Sequence, residues 1–419
     1  LDDIHREVVI ESIDKSIIVQ GVAGSGKTNL AIHRALQAKG KGSYAIVIMT
    51  IALKRMIAYG MNALELDNER IAYDWEWWNR GFDLVGDVYC KGHYDLDKPI
   101  VIERGSKVDE RVEIVNKFWK NNKLNKNTNV QFGEGGAGTF SDGKLNTSIK
   151  DKFGRKDEIL KIFTEFGADA KIMYQNKPHI GTDILQNIVK NMRKKIISLG
   201  GEYRFNTTLT DINIENNTIK SILLNGNELL ETDILILAIG HSARDTYKML
   251  YDKKINMTAK PFAVGVRISH PQEMINQNQY GTNKLGAADY KLTYKASNNR
   301  GVYSFCMCPG GYVVNASSEN GLLAINGMSY SKRDSGIANS AIVVTVSPKD
   351  YGNNALDGIE FQRELEEKTF KAGNGKIPVQ LYGDYKNKIV STNFGFEPCF
   401  KGEYKFADLN QIFPNYVND

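Results

Sequence analysis

Cysteine is scarce in this chain: Cys90, Cys306, Cys308 and Cys399 are the four among 419 residues. Scattered thiols build no disulfide framework, so a reducing cytosol is the expected compartment. Cys306 and Cys308 form a C-x-C pair, and no second pair or nearby histidine completes a zinc site. On a strand both thiols would point to one face. Plain packing is the expectation there, with redox or persulfide chemistry as the alternative. Long apolar runs are also missing: no stretch reaches the roughly 18 residues that span a bilayer, and no secretory signal is present. The chain opens on Leu1 and not on Met, so an upstream segment is expected. Excess charge of one sign is lacking too. The net charge is +5, without a dense Lys/Arg stripe, so a nucleic-acid partner is not expected. The basic run Lys117 to Lys126 reads as a solvated helix end and loop.

What is present is α/β patterning, with room for roughly two or three domains. Residues 16–20 read as a short buried strand, followed by a glycine turn and a helix from about Lys27 to Ala38. Residues 44–50 make a second strand, and helix follows to Tyr59. This β-loop-α-β start is typical of a parallel sheet. From Asp67 to Lys98 no period is clear, and a boundary is placed near Asp97. A buried strand at Pro99–Glu103 precedes a charged helix over about 107–120. Helices are expected near 155–166 and 182–199. Alternating strands then run from Gly201 to Glu231, with turn signals at Asn216-Asn217 and Asn225-Gly226. A buried strand over Asp233–Gly240 closes that unit. Residues 261–348 are strand- and turn-rich, and a helix is expected near 354–373.

Gly21-Val-Ala-Gly24-Ser25-Gly26-Lys27-Thr28 fits G-x-x-x-x-G-K-[ST] between a strand and a helix. Backbone N–H groups there can curl around phosphate, Lys27 can neutralise it, and Thr28 can ligate Mg²⁺ if ATP binds. Hydrolysis also needs a metal-binding carboxylate and a group that orients water; no apolar strand ending in paired acids follows. The stretch Ile18–Arg34, with Ile46–Thr50 and the aromatic segment to Asp95, resembles the start of a superfamily 1 DNA helicase. His5 stands where that family has an adenine-reading Gln. The family's later motifs have no counterpart, so helicase activity is not expected.

Gln131–Leu145 is the second glycine-rich stretch, with five glycines between Gly133 and Gly143. Glycine permits backbone conformations that other residues resist, and a close approach to a flat ligand. Thr139, Ser141 and Lys144 supply donors for a pyrophosphate or a flavin edge. Glu103, at the end of an apolar strand, suits a ribose diol, and Gly240 after Ile234–Ala238 permits a nucleotide to approach. Lys98–Gly105, Phe132–Leu145, Asn176–Asp183, Asp233–Asp245, Ala263–His270 and Phe305–Gly311 together resemble a bacterial family of FAD-dependent, NAD(FAD)-utilizing dehydrogenase-like proteins, over about 98–419.

That resemblance implies an α/β chain with an FAD-binding Rossmann-like domain of the glutathione-reductase type. An antiparallel β-rich domain is inserted in it, and a partial P-loop α/β segment precedes it. The implied divisions are 1–96 (P-loop segment), 97–260 (FAD domain without its first βα unit), 261–380 (β-rich substrate domain) and 381–419 (a truncated return). It implies FAD as cofactor, held by Glu103, Arg104, Gly133, Glu134, Gly135, Gly136, Gly138, Thr139, Ser141, Gly143, Lys144 and Gly240. Lys144, His179 and His270 are candidates near the flavin ring. The family's G-x-G-x-x-G, expected about 20 residues before the ribose acid, does not precede Glu103, and its terminal glycine-rich segment does not follow Leu409. A fusion of two gene fragments is therefore expected, with FAD bound weakly or not at all. The implied activity is an oxidoreductase of unknown small-molecule substrate, cytoplasmic and without membrane. The alternative is an ATP-binding module acting through Gly21–Thr28.

Overall fold

The computed structural model describes residues 46–48, 71–73, 98–145, 151 and 154–418. The P-loop residues Gly21, Gly24, Ser25, Gly26, Lys27 and Thr28 lie outside them. The chain divides into two compact units, Leu1–Asp95 with Lys150–Arg155, and Leu96–Ile149 with Lys156–Asp419. In the first, strands β1 (Ile46–Ile48) and β2 (Ile71–Tyr73) pair in parallel. β1 falls inside the strand read at 44–50, whereas β2 arises where the sequence shows no clear period.

The second unit is mixed α/β, built from several small sheets. β3 (Ile100–Ile102) and β4 (Glu202–Arg204) form a parallel pair. Helices α1 (Val108–Asn121), α2 (Arg155–Glu165) and α3 (Thr182–Ser198) lie between them in sequence, close to the bounds that their periodicity predicts. α1 buries Val108, Arg111, Val115, Phe118 and Trp119, the spacing of one helical face. β5 (Leu209–Glu215), β6 (Thr218–Leu224) and β7 (Glu228–Glu231) make an antiparallel meander. Asn216, Asn217 and Asn225 adopt positive φ at its turns, as turn residues of that type can. Helix α4 (Arg244–Asp252) follows.

A four-stranded antiparallel sheet occupies the next region, in the order β8-β13-β10-β9. Its strands are β8 (Phe262–Pro271), β9 (Thr293–Lys295), β10 (Gly301–Cys308) and β13 (Ile337–Val346). β11 (Tyr312–Asn315) pairs with β12 (Ile325–Met328) and, in parallel, with β15 (Phe400–Lys401). β14 (Ile377–Val379) pairs with β16 (Tyr404–Phe406). The helix expected near 354–373 spans Asp357–Gly373.

The core that positions the glycine-rich loop joins three elements. Val115, Phe118 and Trp119 of α1 meet Val130 just before the loop, Phe140 within it, Val314 and Met328 of the sheet, and Ala316 just past β11. Trp119 Nε1 donates to the Asn315 carbonyl at 2.9 Å. Among the described residues, no helix is long and apolar enough to cross a membrane.

Two strand expectations need correction. Pro99–Glu103 is not a buried strand: β3 has three residues, and Ile100 is 40% exposed. Asp233–Gly240 is not a strand at all, and Ile236 is 83% exposed. An apolar run reports a wish for burial, but a ladder also needs a neighbour. Among the described residues neither segment has one on its open side.

Candidate functional site

The site begins where β3 ends. Glu103 Oε1 accepts from the backbone N–H of Gly105 at 2.8 Å and of Gly133 at 3.0 Å. The strand tip thus holds the head of the glycine-rich loop directly. A Cβ at Gly105 would sit 2.7 Å from Gly133 Cα, so this close approach requires glycine. Glu103 Oε2 accepts nothing from the described residues. Beside it, Arg104 Nη2 donates to both oxygens of Asp245 at 2.8 Å and covers the Phe132 ring. Arg104 therefore ties β3 to the segment after Gly240. Gly240 itself has φ +67, with open space where a Cβ would stand, and its carbonyl accepts from the Tyr247 hydroxyl.

The loop is braced from within. Arg111, fully buried, donates to the carbonyls of Asn129, Val130, Gly133 and Glu134 at 2.6–3.1 Å. Its guanidinium also lies over Phe140. Burial pushes the Arg111 guanidinium down to about 10, still cationic at neutral pH. Glu134 is buried. Its Oε2 accepts from Val108 N at 2.7 Å, and its Oε1 pairs with Arg193 at 3.0 Å. Burial raises this carboxyl above its ordinary range, against the opposing pull of the Val108 N–H and Arg193. Thr139 donates its hydroxyl to the Glu134 carbonyl, and Ser141 to the Gly138 carbonyl. These two hydroxyls, expected to meet a ligand, hold the loop's own backbone. Gly135, Gly136 and Gly143 adopt positive φ. Gly138 does not, and a Cβ there would meet nothing within 4 Å. Gly138 is exposed, and neither its backbone nor a neighbour among the described residues requires glycine there.

The far end of the loop forms a second cluster. Lys144 bonds Asp142 at 2.6 Å and lies 3.9 Å from Cys308 Sγ. Arg333 Nη2 reaches the same carboxylate at 2.6 Å, and the Ser329 hydroxyl donates to it as well. Burial acts to raise Asp142, but Lys144 and Arg333 outweigh it and hold the carboxyl below its ordinary range. Lys144 and His179 face each other in an isolated antiparallel bridge. Burial, then the Arg333 charge, pushes the His179 imidazole down. His179, Arg333, Lys177 and Lys332 help line a groove of about 410 Å³. Cys308 is buried, which raises its thiol, and Cys306 is exposed.

The structure thus gathers Glu103, Arg104 and Gly133 at one end of the loop, and Lys144 with His179 at the other. His270 packs instead against Tyr290, with ring centroids 5.6 Å apart. Arg111, Asp142, Asp245 and Arg333 escaped the sequence reading. Arg111 carried a usable signal, a charge on the buried stripe of an amphipathic helix. No group of acids, histidines and cysteines fit to hold a metal occurs among the described residues.

Residues 261–419 match the model of a family described as FAD-dependent protein, C-terminal domain-like. A relative in Clostridium beijerinckii, described as an uncharacterized protein, is 54% identical over 329 residues. That alignment covers 76% of this chain, and this chain spans 61% of the relative's length. Two solved structures show faint similarity. Tetracycline destructase Tet(51) has a TM-score of 0.25 at 15% identity, covering 65% of this chain and 62% of that one. CtdE in complex with FAD has a TM-score of 0.20 at 13% identity, covering 60% and 59%. Likenesses this slight fix no shared fold.

Proposed function

We propose that this chain is the body of an FAD-binding flavoprotein of the oxidoreductase class. The adenosine ribose lies at the tip of β3, and the flavin ring lies toward Lys144 and His179. The observation that carries this reading is the bond from Gly133 N–H to Glu103. It joins a carboxylate at the carboxyl end of a parallel strand to the head of a glycine-rich loop, the place where open α/β sheets bind nucleotides. The family match over 261–419 supports the same cofactor.

The fit is good for the sugar and incomplete for the phosphates. Glu103 Oε2 remains available for a ribose hydroxyl, and Gly136, Gly138 and Gly240 leave open space. A pyrophosphate, however, favours a free helix N-terminus. The helix that follows β3 is α1, and the Glu134 carboxylate already accepts from its Val108 N–H. FAD is therefore held weakly. Bound FAD would supply the electron-transfer chemistry, while these residues orient it and limit water.

Thermal melting of the purified chain tests this, because a ligand specific to the native state raises the transition. FAD raises Tm at high concentration, riboflavin does not, and gel filtration strips the flavin. Glu103→Gln, which keeps an acceptor for Gly105 and Gly133, reduces the shift. No response to FAD, or an undiminished response in Glu103→Gln, overturns the reading.

A further inference from the structure

We propose that the groove beside His179 receives the carboxylate of a small monoanionic organic acid, gripped by Lys332 and Arg333. That the acid is the substrate rests on the flavin reading above; that the groove binds it does not. The groove has a volume of about 410 Å³. Each ionisable side chain on its wall is basic: Lys177, His179, Lys332 and Arg333. The rest of the wall is amide, hydroxyl and apolar, with Asn176 and Leu285 among its members.

The fold fixes where these cations stand. Tyr330–Arg333 is a tight turn, closed by the Arg333 N–H donating to the Tyr330 carbonyl at 3.1 Å. Arg333 has φ +52, and a Cβ at Gly310 would collide with its carbonyl. The Ser331 N–H and hydroxyl both donate to Asp183, in the first turn of α3, at 2.8 and 2.7 Å. Arg333 donates Nε and Nη2 to Asp142, at 3.2 and 2.6 Å. Its Nη1 donates to none of the described residues, and Lys332 has neither a hydrogen bond nor an ion pair with them.

Charge balance sets the class of ligand. Lys144, Lys177, Lys332 and Arg333 bring four positive charges to this end of the loop, and Asp142, Asp183 and Asp289 return three. Lys171 and Asp169 pair with each other at 3.1 Å. One positive charge remains at neutral pH, where burial and Arg333 keep His179 neutral. A carboxylate restores the balance, whereas a phosphate dianion overshoots it. His179 Nε2 donates to the Ser331 carbonyl at 3.3 Å, which leaves the lone pair on Nδ1. Leu285 on the groove wall is 68% exposed, so the carbon body of the acid has apolar surface to cover.

Proton NMR of the full chain without flavin tests the binding, so its outcome is separate from that of the cofactor reading. The probe is benzoate, with benzyl alcohol as its neutral counterpart at equal ionic strength. The chain has six histidines, and His179→Gln identifies the ring signal that matters. Benzoate raises the midpoint of the His179 titration by roughly half a pH unit or more, because an anion in the groove offsets the Arg333 charge. Benzyl alcohol leaves it unchanged. Lys332→Gln, at an exposed position, weakens benzoate binding about fivefold or more and leaves the melt unchanged. With FAD bound, benzoate shifts the visible flavin absorbance. The binding proposal is overturned if benzoate leaves His179 where it was, if Lys332→Gln binds benzoate like the parent chain, or if inorganic phosphate moves the titration further than benzoate does. Bound FAD whose spectrum ignores saturating benzoate overturns the substrate role. Failure of FAD to bind overturns that role together with the cofactor reading, while the His179 response still decides the groove.

Discussion

Arg111 is a charge at a position where helix periodicity asks for an apolar side chain. It is satisfied because four carbonyls of the glycine-rich loop converge on it. A planar five-donor fork can serve several acceptors at once, and a lysine ammonium cannot serve the same set. Truncation leaves the Asn129 and Val130 carbonyls without this donor, whereas the Gly133 carbonyl keeps the Gly136 N–H and the Glu134 carbonyl keeps the Thr139 hydroxyl. Arg111→Ala should cost on the order of 2–5 kcal/mol, at about 1–3 kcal/mol for each buried acceptor left unpaired. Arg111→Lys recovers part of that. Urea unfolding of the two variants measures the difference. An Arg111→Ala midpoint close to that of the parent chain would show that the loop holds its shape without this brace. Glu134 completes the arrangement by spending its carboxylate on the first turn of α1. Of the residues expected to touch cofactor, Glu134 and Thr139 are buried and hold the loop's own backbone.

At the scale of elements, Ile234–Ile239 behaves unlike its composition. Six apolar residues in a row argue for a fully buried strand, yet most of these side chains meet solvent. Exposed apolar edges invite association between chains. Ile236→Lys replaces a side chain that is 83% exposed, so stability changes by no more than about 0.5 kcal/mol. Light scattering of the concentrated variant should fall relative to the parent chain; equal scattering would remove this segment as the adhesive one. The same contrast explains what the sequence could reveal. α1, α2 and α3 were legible because a helix closes its hydrogen bonds within itself and writes its buried face at a fixed local period. The meander was legible through its asparagine and glycine turns. The fate of Asp233–Gly240 was not, because a strand's partner lies elsewhere in the chain. In the site, Glu103 and the loop could be foreseen from residue type and position. The Arg104–Asp245 and Asp142–Arg333 pairs could not, since 141 and 191 residues separate the partners.

For the whole molecule, acid sensitivity follows from how its second unit buries imidazoles. Burial, and then Arg333, pushes His179 below its ordinary 6.5; Asp142 opposes this without reversing it. Burial alone pushes His270 below 6.5, beside Tyr290. In both cases the unfolded chain binds the proton more readily. Stability is therefore full above pH 6.5 and falls as pH drops from there through the folded values. Asp142 acts in a separate window. Lys144 and Arg333 hold it below 3.8, so its contribution is full above that pH and is lost only as acidification passes the folded value. The two processes separate on a plot of Tm against pH. A His179→Gln, His270→Gln chain should lose much of the decline that begins near pH 6.5 and keep the steep loss below pH 3.8. Asp142→Asn should weaken the acid limb and lower Tm at neutral pH, because Lys144 and Arg333 are then left facing a neutral amide. A double-histidine variant with an unchanged slope would mean that these imidazoles accept protons in the folded state as readily as in water, and that the groove beside His179 is wetter than its burial implies.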